Sequence, residues 1–154
     1  MHLDEFTERA ERLKSRLYRT AVLYLGNETA ALDAVGEAVY KGFKAIKKLR
    51  QPEYFETWMT RILINECKKE LRRKSREQTY ETLPETAQAE FDALPLKEAI
   101  RRLPSELREV IILRYFSGFT LAQTAQSLAI PQGTVVTRQR RALALLKLEL
   151  SEED

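Results

Sequence analysis

The stretch that most restricts the fold of this chain runs from Thr120 to Lys147, TLAQTAQSLAIPQGTVVTRQRRALALLK. Its spacing predicts two helices joined by a short turn. Thr120 is of a type that caps a helix, and Gln123 three positions on completes a capping box, satisfying N–H groups that a first turn leaves without partners. Leu121, Ala125 and Leu128 then recur at helical spacing, with the small Ala125 where two helices would cross closely. Ala129-Ile130-Pro131 reads as the turn, because proline cannot continue a helix and biases its predecessor out of the helical region. The second helix begins around Gln132 to Thr134. Val135, Ala142, Leu146 and Leu150 share its inner face, Thr134, Thr137 and Arg141 its outer one, and Arg138 the flank between. A helix start that offers hydroxyls, an amide and arginines suits a DNA major groove. The stretch is read as a helix-turn-helix, against the plainer alternative of an antiparallel helix pair with a solvated basic face.

The rest of the chain is also helical in rhythm. Five Gly and five Pro in 154 residues leave little material for a turn-rich β protein, and the reading is all-α. From Leu3 to Leu25 apolar residues fall at Leu3, Phe6, Ala10, Leu13, Leu17, Ala21, then Tyr24 or Leu25, with Gly26 as a stop and Asn27 as the next cap. A second helix, Glu28 to Leu49, is expected to bury Ala31, Leu32, Val35, Val39, Phe43 and Ile46. Its exposed side carries Asp33 and Glu37 early and lysines late, as the helix dipole favours. Gly36 and Gly42 each cost that helix about 1 kcal/mol relative to Ala. Gln51-Pro52 breaks it. A third helix runs from about Glu53–Phe55 to about Lys74 on a stripe of Phe55, Trp58, Met59, Ile62, Leu63, Cys67 and Leu71.

Charge is distributed unevenly. Residues 1–76 hold 17 Lys/Arg against 11 Asp/Glu, 77–95 hold five acids and no base, and 96–154 hold nine bases against seven acids. The third helix ends in KKELRRKSR, six bases against Glu70 alone, more than a helix terminus needs, so it is read as facing phosphates. Residues 77–95 lose helical periodicity, contain Pro84 and Pro95, and are taken as an extended acidic linker. After it, a short helix Leu96–Leu103 ends at Pro104, Ser105 is a candidate cap for a helix Glu106–Phe116, and Gly118 closes that helix.

Several function classes are excluded. His2 is the only histidine and lies at a terminus, no Cys or His pair has metal-ligand spacing, and no glycine-rich phosphate loop or base-activated nucleophile is present. The chain is therefore read as a binding protein, with no enzyme activity and no cofactor. Cys67, the only cysteine, allows no internal disulfide, and the charged N-terminus lacks the apolar segment of a signal peptide, so a cytoplasmic location is expected.

Two basic helical blocks, an acidic linker and a C-terminal helix-turn-helix together resemble a bacterial RNA polymerase sigma factor of the extracytoplasmic-function group, which keeps only the second and fourth sigma regions. The run LPSELREVIILRYFSGFTLAQTAQSLAIPQGTVVTRQRRAL is similar to the fourth region. ALDAVGEAVYKGFKAI followed by YFETWMTRILINECKKELRRK is similar to the second. The resemblance implies a region-two domain over 1–76, a linker over 77–95 and a region-four domain over 96–154. It also implies core RNA polymerase, promoter DNA and an anti-sigma factor as partners. By that resemblance Asp33 and Glu37 dock the polymerase clamp. Tyr54, Arg61, Lys68, Lys69, Arg72 and Arg73 meet the minus-ten element, and Gln132, Thr134, Val136, Thr137, Arg138 and Arg141 the minus-thirty-five element. The chain departs from the family pattern at Gly36, where Gln is common, at Ala129, where Gly is usual, and at Val136, where Lys often stands. The rival readings are a sigma-like DNA-binding regulator that does not join polymerase, and an interaction protein that titrates a sigma-binding partner.

Overall fold

The computed structural model of the protein describes residues 1–77 and 94–152. Among them there is no strand, and the helices are α1 (Leu3–Leu25), α2 (Glu28–Ala45), α3 (Phe55–Glu77), α4 (Leu94–Arg102), α5 (Ser105–Ile111), α6 (Leu121–Leu128) and α7 (Gln132–Glu152). The sequence's punctuation sets most of their ends. Gly26 takes the left-handed conformation at φ 69° and closes α1, its N–H bonding Val22 O. The Asn27 side chain accepts from Ala30 N at 2.9 Å and opens α2.

The first three helices pack on one another around Phe6, Leu13, Leu17, Ala31, Val35, Met59, Leu63 and Cys67. The α2–α3 crossing is close at Gly42. A Cβ built there would stand 2.5 Å from Met59 Sδ, so glycine is what lets the two helices meet. Arg16 reaches Glu56 at 2.6 Å and Arg9 donates to Pro52 O at 2.8 Å, tying α1 to the start of α3.

The helix-turn-helix forms as its sequence requires. Thr120 Oγ1 accepts from Gln123 N at 3.0 Å and Gln123 Oε1 accepts from Thr120 N at 2.9 Å. Ala129 ends α6 in the left-handed region at φ 57°, a conformation costing about 1–2 kcal/mol for a residue with a Cβ. Val110, Ala125 and Val135 make a small core among α5, α6 and α7.

Four expectations need correction. Leu32 and Phe43 are 61% and 43% exposed rather than buried, because α2 turns its Ala30, Ala31, Ala34, Val35, Ala38 and Gly42 side inward and leaves them on the rim. The α2 helix stops at Ala45 and tightens into a 3-10 turn over Ile46–Lys48. The helix expected to run to Phe116 is α-helical only to Ile111, and Ile112–Phe116 form a π-helical turn that swings Tyr115 and Phe116 outward. Ser105 does not cap α5, since its hydroxyl is engaged with Tyr24 OH at 2.6 Å. Most of the acidic stretch lies outside the described residues, while Glu77 ends α3 and Leu94 and Pro95 open α4.

The two ends of the chain touch. One apolar cluster runs from α1–α3 into Ala99, Ile100, Leu103, Leu107, Ile111, Ile112, Ala142 and Leu146. Around it the seam is polar, with Thr20–Ser117 at 3.1 Å, Thr57–Gln126 at 3.0 Å and Tyr24–Ser105. Arg108 donates to the carbonyls of Tyr24 at 2.8 Å, Leu103 at 3.1 Å, and Arg101.

Candidate nucleic-acid interface

Three outward faces hold the residues singled out in the sequence. On α7, Val135, Ala142 and Leu146 are buried, which turns Gly133, Thr137, Arg140, Arg141 and Ala144 to solvent. Gln132, Thr137 and Arg141 are exposed, and Thr134 and Val136 are half-buried. The Thr137 hydroxyl donates to Gly133 O at 3.0 Å, so its methyl is the group it offers outward. Arg138 sits on the flank, half-buried, 3.8 Å from Glu106. Arg140 is missing from the sequence-derived set although it stands three residues after Thr137 on the same open side; that spacing is the signal for it.

On α3 the exposed positions Arg61, Asn65, Lys69 and Arg72 recur at helical spacing and form one stripe. Tyr54, 41% exposed, stands before its start, and Trp58 is half-buried against the core. Arg73 is exposed and pairs with Glu70 at 2.5 Å. Lys68 lies off the stripe, turned toward α5, where its Nζ is 3.0 Å from a Glu109 oxygen. Asn65 was not anticipated, yet an amide between Arg61 and Lys69 has both the donor and the acceptor that a base edge asks for.

The exposed face of α2 differs in kind. Leu32, Asp33, Gly36, Glu37, Tyr40, Phe43 and Lys44 share it, so the two carboxylates stand among apolar groups. Lys44 lies over the Tyr40 ring at 4.9 Å. A Cβ at Gly36 would meet nothing within 4 Å, which makes that position an open notch in the surface. Behind this face Lys41 pairs with the largely buried Glu66 of α3, and that carboxylate holds the lysine above its ordinary pKa.

The buried thiol fits a structural role. Cys67 is fully buried and its thiol is pushed up to about 12 by desolvation, so it is an inert core residue. Among the described residues no group of three or more His, Cys, Asp or Glu side chains could hold a metal ion, and no helix is long and apolar enough to cross a membrane. What the arrangement offers chemically is two solvent-open cationic helix faces and one mixed acidic and apolar face.

Comparison with known proteins agrees with this arrangement. The family described as Sigma-70 region 2 matches residues 10–77, and that described as Sigma-70, region 4 matches residues 99–148. The chain is 32% identical over 146 residues to the RNA polymerase sigma factor SigV of Bacillus subtilis, covering 92% of this chain and 88% of that protein. It is 31% identical over 147 residues to the ECF RNA polymerase sigma factor SigM of Mycobacterium tuberculosis, covering 92% and 74%. In fold it is similar to the sigma factor RpoE of Bartonella quintana, solved in complex with the anti-sigma factor NepR, at a TM-score of 0.81 and 24% identity over 97% of this chain and 98% of that one. It is also similar to CnrH in complex with the cytosolic domain of CnrY, at a TM-score of 0.78 and 22% identity over 99% and 92%.

Proposed function

This chain belongs to the extracytoplasmic-function group of RNA polymerase sigma factors, and from that premise we propose how its surfaces divide the work of initiating transcription. It is a transcription initiation factor that binds core RNA polymerase and directs it to promoters. The observation that carries the division is that one chain holds two solvent-open basic helix faces of different make-up together with an α2 face that is acidic and apolar.

The α7 face reads the minus-thirty-five element. Gln132, Thr134, Val136 and Thr137 meet bases or sugars near the helix start, and Arg138, Arg140 and Arg141 supply base and phosphate contacts further along. The α3 face takes the minus-ten element, with Tyr54 at its edge, Asn65 among the bases, and Arg61, Lys68, Lys69, Arg72 and Arg73 along the phosphates. Asp33 and Glu37 dock the polymerase, with Leu32, Tyr40 and Phe43 supplying apolar area beside them. Residues 1–76 and 96–154 act as region-two and region-four units joined by the acidic segment 77–95. The protein works by binding rather than catalysis, and in the cytoplasm beside polymerase. The sigma factor RpoE, of similar fold, was solved in complex with an anti-sigma factor, and a partner of that kind is part of this reading.

Run-off transcription with core polymerase on a library of minus-thirty-five variants tests the assignment. Arg138→Ala is expected to cost about 1–3 kcal/mol and to relax preference at one promoter position. Arg141→Ala is expected to weaken all sequences alike and flatten the salt slope by about one unit. Two variants that match the parent in rate and preference would remove α7 from the role.

A further inference from the structure

Both basic faces are short of one cation in this structure, and the same turn of α5 takes both. Glu106 and Glu109 are three residues apart and so neighbours along that helix. Glu109 is 1% exposed, with an oxygen 3.0 Å from Lys68 Nζ on α3. Glu106 lies 3.8 Å from Arg138 on α7. Between them Arg108 donates to the carbonyl of Tyr24 at the end of α1, and so holds α5 against the first half of the chain.

We propose that Glu109, with Glu106 beside it, stands in for promoter phosphate inside the free protein, holding Lys68 and Arg138 until promoter DNA bound together with polymerase replaces the carboxylates. The inference rests on the reading that α3 and α7 both contact DNA.

Three features make the contact suited to exchange rather than to permanent stability. Glu109 keeps its charge almost wholly out of water, with Lys68 Nζ at 3.0 Å to balance it. Burial raises the Glu109 carboxyl above its ordinary range, with Lys68 the leading influence in the opposite direction, so the charged form depends on that lysine. The surrounding seam is bridged largely by hydroxyls and an amide, from Thr20, Tyr24, Thr57, Ser105, Ser117 and Gln126. Water satisfies such groups nearly as well as they satisfy each other, so opening the polar rim of the seam forfeits little, without parting the apolar cluster that the two halves share. A phosphate offers Lys68 the same charge without the desolvation that Glu109 suffers.

The test uses the full chain without polymerase, and measures binding to a short random-sequence duplex by fluorescence anisotropy across a salt series. Glu109→Gln removes the charge at nearly constant volume and is expected to tighten binding and steepen the salt slope by about one unit, the signature of one more phosphate contact. Glu106→Gln, at a residue 71% exposed where folding is not at stake, is expected to shift both in the same direction by less. Parental affinity and slope in both variants, with promoter-specific transcription intact in the presence of core polymerase, would overturn the proposal and leave the functional reading standing. Parental protein that neither transcribes with core polymerase nor binds DNA would overturn both. Should Glu109→Gln not fold, an unchanged slope in Glu106→Gln decides against the proposal by itself.

Discussion

The two basic helices, α3 and α7, are of similar length and serve similar chemistry, but they are mounted differently. The α3 helix is the middle of the molecule, packed by α1 and α2 on one side and by α6 on another, so among its described side chains the stripe Arg61, Asn65, Lys69, Arg72, with Arg73 beside it, is what stands exposed. The α7 helix rests on α4, α5 and α6 through Val135, Ala142 and Leu146 and leaves most of its start open. The two mounts therefore depend on different parts of the chain. The α7 face is built locally, by a capping box, a turn and a three-residue core. The presentation of α3 depends on where the second half of the chain sits, because that half bonds Thr57 and takes Lys68.

Breaking the α7 mount should have the largest effect. Val135→Asp places an unpaired carboxylate in the small core with Val110 and Ala125, and is expected to cost about 3–5 kcal/mol. If residues 1–76 fold as their own unit, circular dichroism melting of this variant will retain a transition from α1–α3 and lose the other. Loss of all helix at one temperature would contradict separate units.

A smaller change sharpens the comparison in the opposite direction. Ala129→Gly removes the strain at φ 57° and is expected to stabilise the helix-turn-helix by about 1–2 kcal/mol. In urea the midpoint should rise with an unchanged slope; a lower midpoint would mean that the left-handed alanine carries no strain. The smallest effect is expected on the α2 side. Gly36→Ala meets no neighbour and should stabilise α2 by about 1 kcal/mol relative to the parent, seen as a higher melting temperature. Weaker association with core polymerase in that folded variant would show that the notch itself is part of the docking surface.

Local signals in the sequence carried much of this. The Gly26 stop, the Asn27 cap, the Thr120–Gln123 box and the turn at Ala129 are each an agreement between residues a few positions apart, and each formed as its chemistry demands. Periodicity also placed Val135, Ala142 and Leu146 inward. It failed at Leu32 and Phe43, where a run of alanines gave α2 a second, narrower apolar stripe that packs closer. It could not foresee the burial of Thr57, Thr60, Thr124, Ser127 and Glu109, since nothing local marks a polar residue for the interior; a seam between distant parts of the chain does that. For the same reason Lys68 and Arg138, legible as cations, were not legible as paired ones. The functional roles of the site residues came from resemblance to a family. The structure adds which of them stand open and which are held.

The π-helical turn at Ile112–Phe116 has a consequence for how this chain can diverge. Five residues there span what an α-helix would cover with about one fewer, so the turn behaves as a single residue inserted at the end of the helix. The extra residue turns the side chains of that last turn by up to about 100° relative to an unbroken α-helix, and the helix ends there at Ser117. That rotation aims Arg114 at Gln139 of α7, 2.9 Å away, and at the carbonyl of Phe119, 2.6 Å away, while Tyr115 and Phe116 point out. A lineage that lost one residue here would keep every side chain of α7 and still lose the aim of Arg114, and with it a tie that braces that helix. Substitutions can retune α7 one contact at a time; a deletion in this turn would take away a support behind it.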